Sequence, residues 1–361
     1  MHPQRPKLVD QVWRELQDGI ESRRWIGWLP QERHLARELN VSRTTLRLAL
    51  QRLRAAGLLR GLHSRGNQIL TRKSRPRSRV AQPLIINLLV PNVNPLRRAS
   101  VEWIDKLNAL LAANGGRLQV IQADACYALR PERALDRLVR RNQADCWLVR
   151  LSTLRMQQWF AQHEVPTILV GTGYPGVDLP YIDVDHRALS RHATGVVIAA
   201  GHRRLALMAP GEFKAGDLQS QRGFEEAALS SPHQADLRAT VARFEGSVAS
   251  MIRRLDGLLR GPERPTAFVV PHSIYCLTIW SYFGARGVRV PVDVSVVAHV
   301  GSMELSYLYP EPAHYRINAT TYVQKILRAI LARLDGGSVR QEAPILPEFI
   351  RGGSIAAPPD A

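Results

Sequence analysis

The sequence predicts two tandem α/β lobes preceded by a small α+β head of three helices and a hairpin. Three observations carry this expectation. Apolar positions in the first seventy residues repeat at helical spacing three times, then give way to two short strand-like runs. From Leu84 onward, short apolar runs alternate with helical patterns in two successive series, as in parallel sheets covered by helices. The chain has 361 residues, too many for one ordinary core.

In the head, Val9, Val12, Trp13, Leu16 and Ile20 form an i, i+3, i+4, i+7 stripe, so the first helix is amphipathic. Pro30 opens a second, with Leu35, Ala36 and Leu39 inward, and Asn40 tolerates the left-handed turn that stops it. Ser42 is an N-cap for the third. That helix carries Leu46, Ala49, Leu50 and Leu53 on one face and Arg43, Thr44, Arg47, Gln51 and Arg54 on the other, and Gly57 ends it. Leu58–Leu62 and Asn67–Leu70 read as strands around Ser64-Arg65-Gly66. Three helices and a hairpin make a winged helix-turn-helix, assigned to residues 1–72. Residues 71–80, TRKSRPRSRV, hold five cations, a proline and no acid, and a basic linker is expected over 73–83. Such a run is either simply solvated or placed to touch phosphates.

In the first series, strands are expected at Leu84–Val90, Leu118–Gln122, Cys146–Val149 and Thr167–Gly171, with helices at Val101–Asn114, Pro131–Arg141 and Leu154–His163. The second series has helices at Arg187–Ala200, Gln219–Leu229, Val248–Leu259 and Ile274–Arg286. Its strands are Leu205–Ala209, Val241–Phe244, Ala267–Val270 and Val294–Val300. Residues 84–361 are assigned to this two-lobed domain, with a ligand cleft at the carboxyl ends of the strands.

Charge is uneven. Residues 1–83 hold 18 Lys/Arg against 6 Asp/Glu, and the remainder 31 against 25, so +12 of the net +18 sits in the head. A localised basic domain is the footprint of a phosphate-backbone binder, although a basic surface alone also serves solubility. The longest strand-like apolar run has seven residues, short of a membrane span, and MHPQRPKLVDQVW is not a secretory signal. Cys126, Cys146 and Cys276 show no CxxC or CxxH spacing, which fits a reduced, cytoplasmic compartment and gives no metal site. No GxSxG, GxxxxGKS or HExxH occurs, and no dinucleotide-binding GxGxxG loop is expected. His186 and His192 are six apart and do not share a helix face. Asp183 and Asp185 lie on a strand-like stretch, point the same way and are expected to shape the crossover between lobes. No enzyme and no cofactor are expected.

The stretch LPQERHLARELNVSRTTLRLALQRLRAAGLLRGLHSRGN, residues 29–67, resembles the GntR family of bacterial winged-helix repressors, with Gln31, Leu46 and Ser64 departing from its pattern. The remainder is similar to the ligand-binding domain of the LacI family, which shares the periplasmic-binding-protein fold. The similarity rests on YIDVDHRALSRHATGVVIAAGHRRLALM (181–208), RGFEEAAL (222–229), RGVRVPVDVSVV (286–297) and ILPEFIRGGS (345–354). The combination resembles the arabinose-type repressors, with the basic linker where LacI proteins have a hinge helix. It implies crossovers between lobes near 184, 314 and 342. It further implies a cytoplasmic homodimer, a ligand-responsive transcriptional regulator and repressor, on an inverted-repeat DNA operator.

DNA contacts are expected from Arg33, Ser42, Arg43, Thr44, Thr45 and Arg47, and from His63, Arg65 and Gly66 in the wing. At the positions where the LacI family holds its effector, Ser220 stands for the usual Arg, with Arg222 displaced. His272-Ser273 stands for Asn-Asp, and Val300-Gly301, preceded by His299, for Asp-Asp. With Trp147 and Tyr275 these are the expected ligand residues, core packing being the ordinary alternative for both aromatics. Two carboxylates are lost and two imidazoles gained, so the site is expected to favour a sugar derivative, acidic metabolite or carbonyl-rich ligand over a neutral polyol. The competing reading is a sensor that has lost its ligand and serves as a dimer scaffold. A solute-binding receptor or enzyme would need an export signal or catalytic residues that this sequence does not display.

Overall fold

The computed structural model describes residues 8–21, 25, 28–39, 41–62, 66–69, 83–91, 101–211, 214–301, 303–334 and 344–359. The chain divides into two compact units, Met1–Gln82 and Pro83–Ala361.

The head comprises α1 (Leu8–Glu21), α2 (Glu32–Glu38), α3 (Arg43–Ala55), β1 (Leu59–Leu62) and β2 (Gly66–Ile69). The three apolar stripes converge on one core, in which Leu16, Leu35, Leu46, Leu50 and Leu53 are fully buried. α2 begins two residues after Pro30, and the Gln31 side chain does not cap it. α3 is capped as its sequence suggests: Ser42 Oγ accepts from the Thr45 N–H at 3.1 Å. Ser42→Ala is expected to cost the head about 1 kcal/mol, read as a lowered denaturant midpoint; an unchanged midpoint would show the cap to be idle. Gly57 takes φ +70°, so the chain leaves α3 through a left-handed turn. β1 and β2 pair antiparallel from Leu59↔Ile69 to Leu62↔Gly66, and Trp28 adds a bridge to Gln68. The expected stop at Asn40, wing tip 63–65 and linker up to residue 82 lie outside the described residues.

The first lobe of the second unit contains β3 (Leu84–Val90), α4 (Val101–Ala113), β4 (Gly116–Gln122), α5 (Glu132–Arg141), β5 (Cys146–Arg150), α6 (Leu154–Gln162), β6 (Thr167–Val170) and β7 (Tyr181–Ile182). Its sheet is parallel, in the order β4-β3-β5-β6-β7. The second lobe contains α7 (His186–Ala199), β8 (Arg204–Pro210), α8 (Ala215–Leu229), β9 (Arg238–Phe244), α9 (Val248–Arg260), β10 (Ala267–Val270), α10 (Ile274–Ala285), β11 (Ser295–Val300) and β12 (Ala313–Arg316). After β12 the chain forms α11 (Ala319–Leu334), which packs on α4, β5 and β6 of the first lobe. It then returns as β13 (Glu348–Ile350). The second sheet runs β13-β12-β11-β10-β8-β9, parallel except for β13.

The sequences of β3 (LIINLLV) and β10 (AFVV) are nearly continuous apolar runs because helices cover both sheet faces. One core cluster spans the two lobes. It joins Ile86, Leu88 and Leu107 to Val323 and Ile330 of α11, and runs on to Leu207, Phe224 and Val269. The outer faces have separate cores, around Phe160 in the first lobe and Phe268 and Phe283 in the second. α7 and α8 cross at Gly223, where an added Cβ would stand 2.1 Å from the Arg187 carbonyl oxygen. Chain crossings at 183–185 and 317–318, with Val184 bridged to Ile345, hold the lobes together at the carboxyl ends of the strands.

Candidate nucleic-acid interface and inter-lobe site

By burying Leu46, Ala49, Leu50 and Leu53, α3 turns Arg43, Thr44 and Arg47 to solvent in its first two turns. Thr45 is half-buried, and its hydroxyl lies 2.8 Å from Ser42 Oγ, so this pair shapes the cap as well as the surface. Arg47 Nε donates to Glu32 Oε2 at 2.8 Å, across to the first turn of α2, and the neighbouring Arg33 is exposed. Gly66 has φ +89° with open space beyond its Cα, as a wing that swings away from the core requires. His63 and Arg65 lie outside the described residues. Sequence reasoning missed the clamp that orients the wing: Arg54 donates from Nε and Nη2 to Asn67 Oδ1, at 3.0 and 2.6 Å, and Asn67 is buried.

In the second unit, polar groups collect where the carboxyl ends of both sheets meet. β6 runs into Gly171 and Thr172, and Thr172 Oγ1 donates to Asp183 Oδ2 at 2.6 Å. The same oxygen faces His186 Nε2 at 3.1 Å, while Asp183 Oδ1 accepts the Val184 N–H. Burial alone would raise the Asp183 carboxyl, but the charge and hydrogen bond of His186 outweigh it and hold it below the usual range. Burial likewise opposes protonation of His186, yet the adjoining Asp183, helped by Asp217 and Asp185, raises its value. Asp183 and Asp185 do not point the same way, contrary to expectation, because the strand ends at Ile182. Asp185 instead caps α7 through the Ala188 N–H at 2.8 Å.

Opposite them, Asp217 sits buried in the first turn of α8. Its Oδ2 accepts the Lys214 N–H at 3.0 Å, and its Oδ1 faces His272 Nε2 at 2.7 Å. Burial pushes the Asp217 carboxyl up, but the hydrogen bond and charge of His272 bring it below the usual range. Tyr174, in the loop after β6, reaches the backbone of Ala215 and feels the charge of Asp217, which ties that loop of the first lobe to α8. Gly216 packs closely here: an added Cβ would lie 3.0 Å from His186 Cδ2 and 3.2 Å from Thr172 Oγ1, so both side chains would have to shift.

His299 is fully buried, and neither ring nitrogen has a hydrogen-bond partner among the described residues. Burial, reinforced by His186 and His272, holds it well below the ordinary histidine value, so the ring is neutral. Ser273 Oγ donates to Glu304 Oε1 at 3.3 Å. Tyr275 is buried between Phe244, centroid to centroid 5.0 Å, and His272, at 5.3 Å, and so supports the His272 ring.

Two expected ligand residues are elsewhere. Trp147 is in the outer core of the first lobe, 1% exposed and packed on Phe160, because alternation along β5 turns it from the cleft face. Arg222 is exposed while Ser220 is buried, since two residues along a helix rotate a side chain by about 200°. The expected surplus of donors is corrected with it. His272 directs Nε2 at Asp217, and Asp217 and Glu304, two residues the sequence reading did not assign to the site, restore carboxylate acceptors.

The sequence reading also overlooked a G-x-G-x-x-G spacing at Gly171, Gly173 and Gly176. It follows β6, but leads to β7 rather than into a helix, so the phosphate-binding geometry of that motif is not formed. Among the described residues no group of three or more His, Cys, Asp or Glu is placed to hold a metal, and no helix is long and apolar enough to cross a membrane.

Residues 8–69 match the bacterial regulatory proteins of the gntR family, and residues 195–355 the periplasmic binding protein-like domain. HTH-type transcriptional regulator AscG of Escherichia coli is 22% identical over 69% of this chain and 75% of its own length. HTH-type transcriptional regulator CelR of Thermobifida fusca is 27% identical over 50% of this chain and 54% of its own length. Among solved structures, a LacI family transcriptional regulator from Bifidobacterium animalis subsp. lactis superposes with a TM-score of 0.65, at 18% identity, over 78% of this chain and 100% of its own. A periplasmic binding protein/LacI transcriptional regulator from Alkaliphilus metalliredigens, complexed with D-xylulofuranose, gives 0.63 at 15% identity over 75% and 98%.

A helix-turn-helix head with a basic, exposed α3, joined to a two-lobed α/β domain with a polar site at its strand ends, is a ligand-responsive DNA-binding transcriptional regulator. More particularly, residues 8–69 match the gntR family of bacterial regulatory proteins and residues 195–355 a periplasmic binding protein-like domain, and the second unit shares its fold with a LacI family regulator of known structure.

Proposed function

We propose that this regulator is a cytoplasmic homodimeric repressor that reads an inverted-repeat operator. Arg43, Thr44 and Arg47 enter the major groove, Arg33 meets phosphate and the wing lies alongside. The observation that carries this reading is the exposure of those α3 side chains on a helix whose other face is fully buried. Neutralising about five phosphates gives a slope near −4 to −5 for log affinity against log salt. Titration of the full chain on duplex DNA between 50 and 200 mM salt measures it, and a flat response would reject the assignment.

The effector is a small hydroxyl-bearing molecule held between the lobes. Asp217 and Glu304 offer acceptors, and the neutral, unpartnered ring of His299 offers one donor and one acceptor. Of the sugar derivative, acidic metabolite or carbonyl-rich ligand expected from sequence, this reading favours the first, because Arg222 is exposed while Ser220 is buried. The relative solved with D-xylulofuranose supports a polyhydroxyl class without naming the molecule. A thermal-shift screen of sugars, polyols and sugar acids tests it, since a ligand selective for the native state raises stability. Acids binding and neutral polyols failing would reverse the assignment. The other reading, a sensor without ligand, draws on how far these side chains already satisfy one another; no hit in that screen would favour it.

A further inference from the structure

The second lobe carries another polar concavity at the opposite end of its sheet. It opens at the amino-terminal ends of β8 and β10, about 20 Å from the carboxyl end of β8 by the rise of that seven-residue strand. Four arginines line it: Arg204 at the start of β8, Arg264 just before β10, and Arg286 and Arg289 in the turn between α10 and β11. The concavity is open to solvent, with a volume of about 620 Å³.

The charges inside are unevenly matched. Asp293, the carboxylate in the wall, is consumed by Arg289. Arg289 Nε and Nη2 each donate to it at 3.0 Å, and the Arg289 N–H at 2.7 Å. Those hydrogen bonds hold the Asp293 carboxyl down at about 2, so it stays ionised and paired. Arg286 is paired with Asp256, outside the cavity, at 2.8 Å. Arg204 Nε donates to the Arg264 carbonyl at 2.9 Å, a neutral acceptor. Among the described residues, neither Arg204 nor Arg264 is hydrogen-bonded to a carboxylate. Two guanidinium groups therefore line one concavity with no carboxylate hydrogen-bonded to either among the described residues, although the charge of Arg264 also acts on Asp293. The floor is fixed from beneath: buried His202 bonds to Thr266 Oγ1 and Ser295 Oγ, both at 2.9 Å, and to the Ala356 carbonyl at 3.0 Å.

We propose that this concavity binds the phosphate group of a small phosphorylated molecule through Arg204 and Arg264, as a second ligand site distinct from the one between the lobes. Two planar forks match the charge and oxygen geometry of a phosphate dianion. The concavity is larger than a phosphate, so the ester's organic part fits beside it.

Calorimetric titration of the full chain with ribose 5-phosphate, at constant ionic strength set with chloride, tests the proposal; ribose is the control. Expected are binding of the phosphate ester alone and at least a tenfold loss in the Arg204→Gln, Arg264→Gln double variant. Arg289→Gln keeps both forks but leaves Asp293 facing the anion, and is expected to weaken binding several-fold. It carries the test should the double variant fail to fold. His272→Ala, in the inter-lobe site, is expected to bind the ester as wild type does. No binding, equal binding of ribose, affinity unchanged in the Arg204 and Arg264 variant, or loss in His272→Ala would each overturn the proposal. Of these results, only ribose binding and the loss in His272→Ala bear on the effector site.

Discussion

Replacing Arg43 and Arg47 together by Ala is expected to cost the operator complex roughly 2–5 kcal/mol while changing affinity for random duplex far less. Each guanidinium that forks onto a guanine edge contributes about 1–3 kcal/mol of discrimination, and phosphate contacts contribute equally on every sequence. Arg43 is the first residue of α3, in the turn that enters a groove first, and its exposed side chain bears no structural duty in the core. Arg47 starts from an ion pair with Glu32 in which 61% of its side chain remains exposed. Such pairs are worth less than about 1 kcal/mol, so releasing it costs little, but the single Arg47→Ala loss should be the smaller of the two. Fluorescence anisotropy on an operator selected from random duplexes, against unselected duplex, separates the terms. Equal losses on both DNAs would mean that α3 contacts only the backbone and that base reading lies elsewhere.

The head was legible because its signals are local. Periodicity sets which face of α3 is buried, and Ser42 and Gly57 mark its ends through cap chemistry that needs no tertiary partner. What was not legible there depends on residues far apart in sequence, such as Arg54 holding Asn67 across the wing. α11 was missed although Val323, Ile326, Leu327 and Ile330 carry a helical stripe; its Thr-rich, β-branched start obscures the pattern. β12 and β13 are short strands whose pairing exists only once the chain has crossed back from the first lobe.

The inter-lobe site divides the same way. Ser220, His272 and Ser273 could be placed by alignment of motifs, whereas Asp217 enters because α8 starts four residues earlier than its apolar pattern shows. The Asp183–His186 pair did have a signal, an acid and a histidine three apart at a helix start. The reading that both aspartates share one strand face hid it. Arg222 was misplaced by counting along the chain instead of around the helix.

Stability is expected to fall as pH drops from about 6.5 towards 5, and His299→Gln is expected to flatten that fall by about 1.4 kcal/mol per pH unit. The group is buried with no hydrogen-bond partner among the described residues, and its folded value lies well below 6.5. A histidine with a depressed folded value stays neutral in the native state while the unfolded chain takes up a proton below its ordinary value near 6.5. Its contribution is therefore complete above 6.5 and is lost as pH falls towards the folded value, at about 1.4 kcal/mol per unit for one proton. His202, lowered chiefly by burial beneath the C-terminal segment, adds in the same direction. His186 works oppositely: its raised value makes its contribution complete below 6.5 and lost as pH rises through the folded value. Its partner Asp183, and Asp217, have lowered values and keep their contributions until pH falls below the ordinary carboxylate range. Between 6.5 and 5 the two depressed histidines thus set the slope, and the aspartates do not enter. Chemical denaturation of wild type and His299→Gln at several pH values measures the difference. Parallel slopes would mean that His299 is protonated in the native state, and a charged ring there would change the hydrogen bonds offered to the ligand from one donor and one acceptor to two donors.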